Sequence, residues 1–457
     1  MPSLAPSDLP PLAAAPVPRA ARWAYVLRHF RLAYPEAPDV AIGPTGSGAA
    51  VEVVEGAGDF FTQTEPQPTA PAFREWGGQS VPFFFADDVA PLLRCLPGRA
   101  VIGVDIVSAA FFLLSGWQEY FSAQRDAHGR FPYAASVQHR FGFVTLPVVN
   151  YYFDLLKAAV EHVSGQPLQP RRWGPQQAPF AACITHDIDS LHGGWGTAAR
   201  HALRRGQLGK LTRLVWDRGT GRPAPWHNLA TVQAAAHGAP GTFFMLAQQP
   251  PAPNGVRNAD YDYRRPAIRQ ELETLRANGA EIALHGSYGT AHDPDRLRAE
   301  AAGLGPPPVA GNRFHYLSWE PRRTPAVLAA AGLAYDSTLG FAEHYGFRHA
   351  YCHPFFPFDF ERGEAHEFLE IPLLVMDTTL HHPNYLQLTG AEILPALRPL
   401  LAEVERFGGV ATVLWHNNSF APGAQPIGPQ QFGEIMGELR QRGAAFVTGS
   451  DLCRALR

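Results

Sequence analysis

The chain has 457 residues, 46% hydrophobic and 17% charged, with a formal net charge of -3. That length suits two or three domains with a sizeable core and excludes both a disordered chain and a small disulfide scaffold. The near-even charge balance argues against nucleic acid or an anionic membrane as partner, because such surfaces require a basic excess to displace counterions. The four cysteines, Cys95, Cys183, Cys352 and Cys453, form no Cys-x-x-Cys pair, which excludes a thiolate zinc knuckle and fits a reducing compartment. Against them stand 19 histidines, unevenly spread, with four before residue 171 and fifteen after it.

In chain order, residues 1–20 are Pro/Ala-rich and read as a disordered leader without a targeting segment. Residues 21–165 read as one α/β unit. It opens with an amphipathic segment carrying Trp23, Val26, Leu27, Phe30 and Leu32, continues through short strands at 50–54 and 80–85, and holds apolar helices in the second half of 102–120 and over 148–163. The run 101–114 is too short to cross a bilayer and carries Asp105, so no membrane span is expected and the cytoplasm is the expected location. Residues 166–179, rich in Pro, Gln and Gly, read as a linker.

From 180 to 457 strand and helix signals alternate. Strands are predicted at 181–185, 241–246, 281–284, 369–375, 410–415 and 445–448. Helices are predicted at 228–237, 266–277, 294–302, 325–331, 391–406 and 429–442, with a short last helix capped by Ser450. Short loops between alternating elements imply parallel pairing, hence an α/β barrel or an open doubly wound sheet. No GxGxxG or GxxxxGK[ST] motif follows a strand, and the Gly-rich run at 192–196 reads as loop.

Polar groups just past the C-terminal ends of such strands point into a shared mouth. Four clusters stand there: His186-Asp187-Ile188-Asp189, His285-Gly286-Ser287, Asn312-Arg313-Phe314-His315-Tyr316 and His416-Asn417-Asn418. An Asp-x-Asp with histidines from neighbouring strands supplies oxygen and imidazole ligands for a divalent ion such as zinc, with one carboxylate to spare as a general base. A lone Asp-x-Asp more often caps a helix. The coincidence of four clusters favours a site.

These residues resemble the polysaccharide deacetylase superfamily (NodB homology, carbohydrate esterase 4), over about 180–457. THDID (Thr185–Asp189) resembles its first motif in the Asp-x-Asp form, GTFFML its second strand, and NGAEIALHGS the strand ending in a metal-binding histidine. NRFHY, AYDST and TVLWH resemble the third, fourth and last motifs. The resemblance implies an α/β fold, a distorted (β/α) barrel of the NodB-homology type, preceded by a smaller α/β domain of the kind found before a cytoplasmic-looking subgroup. It implies Asp187 as general base, Arg313 orienting it, and His416 as the acid that protonates a leaving amine. Asp189 and His285 become ligands of a divalent metal, zinc first among candidates. Tyr316 shapes the pocket, and Asp336 resembles the fourth-motif Asp that supports the catalytic His or Arg.

The sequence departs from the family at Gly289, where a second metal-binding His is usual. His292 is the nearest replacement if its loop folds back, and His315 and His186 compete for the vacancy. His315, Tyr316, Asp336 and Asp377 are the candidate substrate-binding residues. The loop 349–359, mixing His, Cys and Phe, reads as a packed lid over the mouth rather than a metal site.

The expected activity is metal-dependent hydrolysis of a non-peptide carbon–nitrogen bond, removing N-acetyl from a sugar, with an N-acetylated glycan or precursor as partner. A cyclic amide or ureide hydrolase of the same superfamily and a catalytically silent carbohydrate-binding protein stand as alternatives. A glycosidase pairing Asp187 with Asp377 or Asp336 would leave the histidines without a purpose.

Overall fold

The computed structural model describes residues 16–86, 90–248, 250–251, 255–421 and 427–457. The first fifteen residues of the expected leader lie outside them, and Arg19 already begins a helix, Arg19–Ala33.

The N-terminal unit holds a small sheet ordered Ile42–Pro44, Val51–Val53, Arg99–Ile102, Leu93–Leu96. Its first three strands are parallel and the last is antiparallel. Helices Ile106–Leu114 and Val148–Ser164 cover it; every residue of the first is buried, as its unbroken apolar sequence demands. Asp105 caps that helix by accepting the Ser108 N–H, so this acid in an apolar run has a structural partner.

The larger unit is a mostly parallel sheet curled into a barrel with helices outside. Its strands are β1 (Ala181–Ile188), β2 (Thr242–Leu246), β3 (Glu281–Gly286), β4 (Gly311–Phe314), β5 (Tyr335–Asp336), β6 (Leu369–Glu370), β7 (Val375–Met376), β8 (Val410–Leu414) and β9 (Ala445–Val447). Their order is β6-β5-β4-β3-β2-β1-β8-β7, all parallel. β1 is buried along its whole length, as expected of a central parallel strand. One edge of β1 pairs with β8, while the other is shared between β9 at Ala181–Cys183 and β2 at Thr185–Ile188.

The wall is distorted where the sequence suggests one strand over 369–375. Pro372 has no N–H to give a ladder, and the run splits into two-residue strands β6 and β7. Between them the Leu373 N–H bonds to the Leu339 carbonyl and the Leu374 N–H to the Thr412 carbonyl, so the chain spans the gap that a ladder would close. The stretch at 192–196 is loop only in part: Trp195–Arg204 and Leu208–Gly219 form a helical pair. Leu203, Leu208, Val215 and Trp216 there are 63–69% exposed, and helices with so little burial leave a weak sequence signal.

The loop around 349–360 supplies none of the residues lining the cavity over the strand-end clusters. Phe358 and Phe360 are buried against Tyr25, Phe111, Trp117 and Tyr120 of the N-terminal unit, and Phe356 is buried against its His29. Two buried bidentate ion pairs tie the units further, Glu119 with Arg348 (2.8 and 2.6 Å) and Arg125 with Glu320 (2.7 and 2.9 Å). Between the units, Trp173 is buried and donates its indole N–H to the Gly408 carbonyl. Among the described residues no helix is long and apolar enough to cross a membrane.

Candidate active site and metal centre

Side chains alternate along a strand, so Thr185, Asp187 and Asp189 leave β1 on one face and His186 on the other. The inward set meets Arg313 of β4, whose side chain is fully buried over the Phe244 ring. Its Nη1 donates to Thr185 Oγ1 (2.8 Å) and Asp187 Oδ1 (2.9 Å), while Nε and Nη2 are held by the Ser337 carbonyl and hydroxyl. One oxygen of Asp187 is thus fixed, and the other faces His285 at 3.8 Å. His186 turns outward, its Nδ1 on the Trp415 carbonyl (2.7 Å) and its ring among Phe243, Phe420 and Phe432.

Asp189, His285 and His315 each offer a ligand atom within 4.8 Å of the others. His285 Nε2 lies 3.3 Å and His315 Nε2 3.8 Å from Asp189 Oδ1. Ligands of a tetrahedral ion with bonds of about 2.1 Å are separated by about 3.4 Å, so the set fits a small divalent cation. His285 Nδ1 sits 2.8 Å from the Arg313 carbonyl, which fixes its proton there and leaves Nε2 as the ligand atom. Buried Asp189 Oδ1 has no hydrogen-bond donor among the described residues. The electrostatics favour positive charge at this point. Burial opposes the Asp189 carboxylate, yet the adjacent imidazoles of His285 and His315 hold it well below the usual range. Burial also opposes imidazolium at His285, yet Asp187 and Asp189 raise it.

His292 stands outside this set. Gly289 has φ 95°, a left-handed backbone that a histidine at that position would adopt only under strain, and it leads into the turn Thr290–His292. That turn carries His292 to Arg323 and Glu320 rather than toward Asp189; burial and Arg323 lower its pKa. The fold-back that would bring His292 to the set does not occur, and among the described residues His315, from the end of β4, is the histidine that groups with Asp189 and His285.

His416 follows β8 with Nε2 4.0 Å from Asp189 Oδ2 and Nδ1 2.6 Å from Asp377 Oδ1. Burial works against its imidazolium, but the Asp377 carboxylate, with Asp189 and Asp187 behind it, raises His416 to about 10. Asp377 is fully buried and accepts from the His416 N–H and the Ser419 hydroxyl as well, so its carboxylate is turned to His416 and does not line the cavity over the strand-end clusters. Asp336 is also fully buried; it accepts from Asn312 (2.7 Å) and Thr338 (2.9 Å) behind the cavity wall rather than at its surface.

A cavity of about 290 Å³ opens over these groups, lined by Asp187, Asp189, His285, His315, Tyr316 and His416. Residues beyond the sequence-based set join them: Thr378, His382 and Tyr385 after β7, and His128 and Arg130 from the N-terminal unit. His128 stacks on Tyr316, with ring centroids 4.8 Å apart at 8°, and Arg130 Nη1 donates to the Tyr316 carbonyl at 2.9 Å. No local pattern marks this pair, since its meaning lies in contacts across 186 residues of sequence.

Residues 45–164 match a family of unknown function, DUF7033. No curated protein matches the sequence. Among solved structures, the chain is similar to a protein named a polysaccharide deacetylase from Mycobacterium smegmatis, at 18% identity and a TM-score of 0.40, covering 64% of this chain and 94% of that one. It is similar to another so named from Pseudomonas aeruginosa PAO1, at 14% identity and a TM-score of 0.41, covering 63% and 94%. It is likewise similar to the Puue allantoinase, at 14% identity and a TM-score of 0.41, covering 63% and 93%, and each likeness is one of fold.

Proposed function

We propose that the chain is a metal-dependent hydrolase of non-peptide carbon–nitrogen bonds that removes the acetyl group from an N-acetylated sugar or polysaccharide. The observation that carries this reading is the pairing of a fixed carboxylate, Asp187, with an imidazolium, His416, around the Asp189–His285–His315 set. A divalent ion held by those three residues, zinc first among candidates, would polarise the amide carbonyl and acidify a water. Asp187, held at one oxygen by Arg313, takes the proton from the attacking water with the other. His416 carries its proton on Nε2, on the cavity side, and gives it to the departing nitrogen. Asp377 keeps that imidazolium oriented and charged, and Ser419 and the His416 N–H hold Asp377 in turn.

Tyr316, 39% exposed at the cavity, together with Tyr385 and His382, offers ring faces and polar tips suited to a sugar. The four cysteines are unpaired, which supports a reducing compartment such as the cytoplasm.

The test is acetate release from N-acetylhexosamine monomers and oligomers with added Zn2+, alongside a panel of cyclic ureides and imides. Acetate release that Asp187→Asn abolishes supports the reading. Turnover of the cyclic amides alone moves the assignment to ring-opening hydrolysis at the same site. No turnover of either class by metal-loaded protein contradicts it.

A further inference from the structure

The three histidines of the site are not held in the same way. His285 is tied by Nδ1 to the Arg313 carbonyl and His416 by Nδ1 to Asp377, whereas His315 Nδ1 has no hydrogen-bond partner among the described residues. The position of the His315 ring therefore rests on its backbone, on an edge contact with the His285 ring (5.2 Å between centroids) and on its closer contact with Tyr316, whose ring centroid is 4.2 Å away. That backbone is unusual: Tyr316 and Leu317 follow with φ 60° and 52°, two successive left-handed residues that carry β-carbons. Such a segment persists only where its surroundings over-determine it.

The surroundings come from the N-terminal unit. Arg130 Nη1 donates to the Tyr316 carbonyl at 2.9 Å, and the His128 ring stacks flat on the Tyr316 ring. Both are fixed by one carboxylate. Asp126 Oδ2 accepts from Arg130 Nε (2.7 Å) and Nη2 (2.6 Å), and Oδ1 accepts the N–H groups of His128 (2.8 Å) and Arg130 (3.0 Å). The Asp126 N–H bonds back to the Arg130 carbonyl at 2.8 Å, closing residues 126–130 into a self-braced turn.

We propose that this turn is a clamp that completes the metal centre. By gripping Tyr316 through its carbonyl and its ring, the unit matching the family of unknown function holds His315 as third ligand, in place of the histidine that Gly289 does not supply. Asp126, Arg130 and His128 are thus positioning residues: two of them line the cavity, yet they act on the metal through Tyr316. The proposal rests on the metal-dependent reading above and assigns the N-terminal unit a task in it, so that neither unit makes the site alone.

The test uses the full chain, purified metal-free and titrated with Zn2+ against a chromophoric chelator and with Co2+ by visible absorption. Outer partners of metal ligands commonly govern affinity by about 10- to 100-fold. Arg130→Ala and Asp126→Ala are expected to weaken Zn2+ binding by that factor and to alter the Co2+ spectrum. His128→Ala, which removes only the stacking, is expected to weaken it by a smaller factor, and Arg130→Lys, which keeps a donor for the Tyr316 carbonyl, to restore part of the loss. If Arg130→Ala does not fold, His128→Ala and Arg130→Lys carry the test. Wild-type protein that binds one Zn2+ while the folded variants bind it equally well overturns the clamp alone. Wild-type protein that binds no Zn2+ overturns the metal reading and the clamp with it.

Discussion

His416 Nδ1 lies 2.6 Å from Asp377 Oδ1, and this contact sets the protonation state of the proposed acid. Burial alone would strip the proton from His416; Asp377 reverses that and raises it to about 10. A general acid acts only while protonated, so this contact extends activity toward high pH. Asp377→Asn keeps the shape and removes the charge. The alkaline limb of kcat/KM is expected to move down toward the ordinary histidine value of about 6.5, where only about 3% of His416 is protonated at pH 8, so the rate there falls by up to about 30-fold. A pH–rate profile decides it, and an alkaline limb in the same place for both proteins would remove Asp377 from this role.

Arg313 holds Asp187 through a fork that also reaches Thr185 and Ser337. Lysine keeps the charge but presents a single ammonium in place of the planar fork. Arg313→Lys is therefore expected to lower kcat by about 10²-fold, the order of loss that follows a displacement of about 1 Å at a reacting group, while KM changes little. Steady-state kinetics on an N-acetyl substrate check this; a loss confined to KM would show that Arg313 serves binding instead.

The Glu119–Arg348 pair, 2% and 1% exposed, lies between the two units. Glu119→Ala leaves a buried guanidinium without its partner and is expected to cost about 3–5 kcal/mol in urea unfolding. Burial opposes the Glu119 carboxylate, but Arg348 lowers its pKa below the ordinary value. The stabilisation it gives is therefore present above the unfolded value of about 4.3 and lost as pH falls below it. A variant as stable as wild type at pH 7 would show that the pair contributes nothing net.

Much of the barrel was legible in the sequence because its signals are local. THDID, EIALHG and TVLWH are short apolar strands ending in ionisable residues, and strand alternation separates Asp187 and Asp189 from His186. Which histidine joins Asp189 and His285 was not legible. Seven residues of chain could carry His292 back or away, and a positive φ at Gly289 with a short turn decided for away. His128 and Arg130 carry no local signal, since only the docking of two units makes them part of the cavity. The aromatic loop near 349–360 suggested a lid by composition, but the same rings serve to glue two units together, and composition does not tell these apart. Asp336 and Asp377 stand in the sequence as candidate substrate-binding acids, while their complete burial, which turns them to Asn312, Thr338 and His416, is a property of the packed barrel.

In the proposed reading Asp189, His285 and His315 hold a catalytic divalent ion. Metal content of purified protein, reloaded with Zn2+ and freed of excess, tests it most directly. One ion per chain is expected in wild type and in His292→Ala, with a loss of at least about tenfold in affinity in His315→Ala. An ion retained in His315→Ala but lost in His292→Ala, or none in wild type, would contradict it.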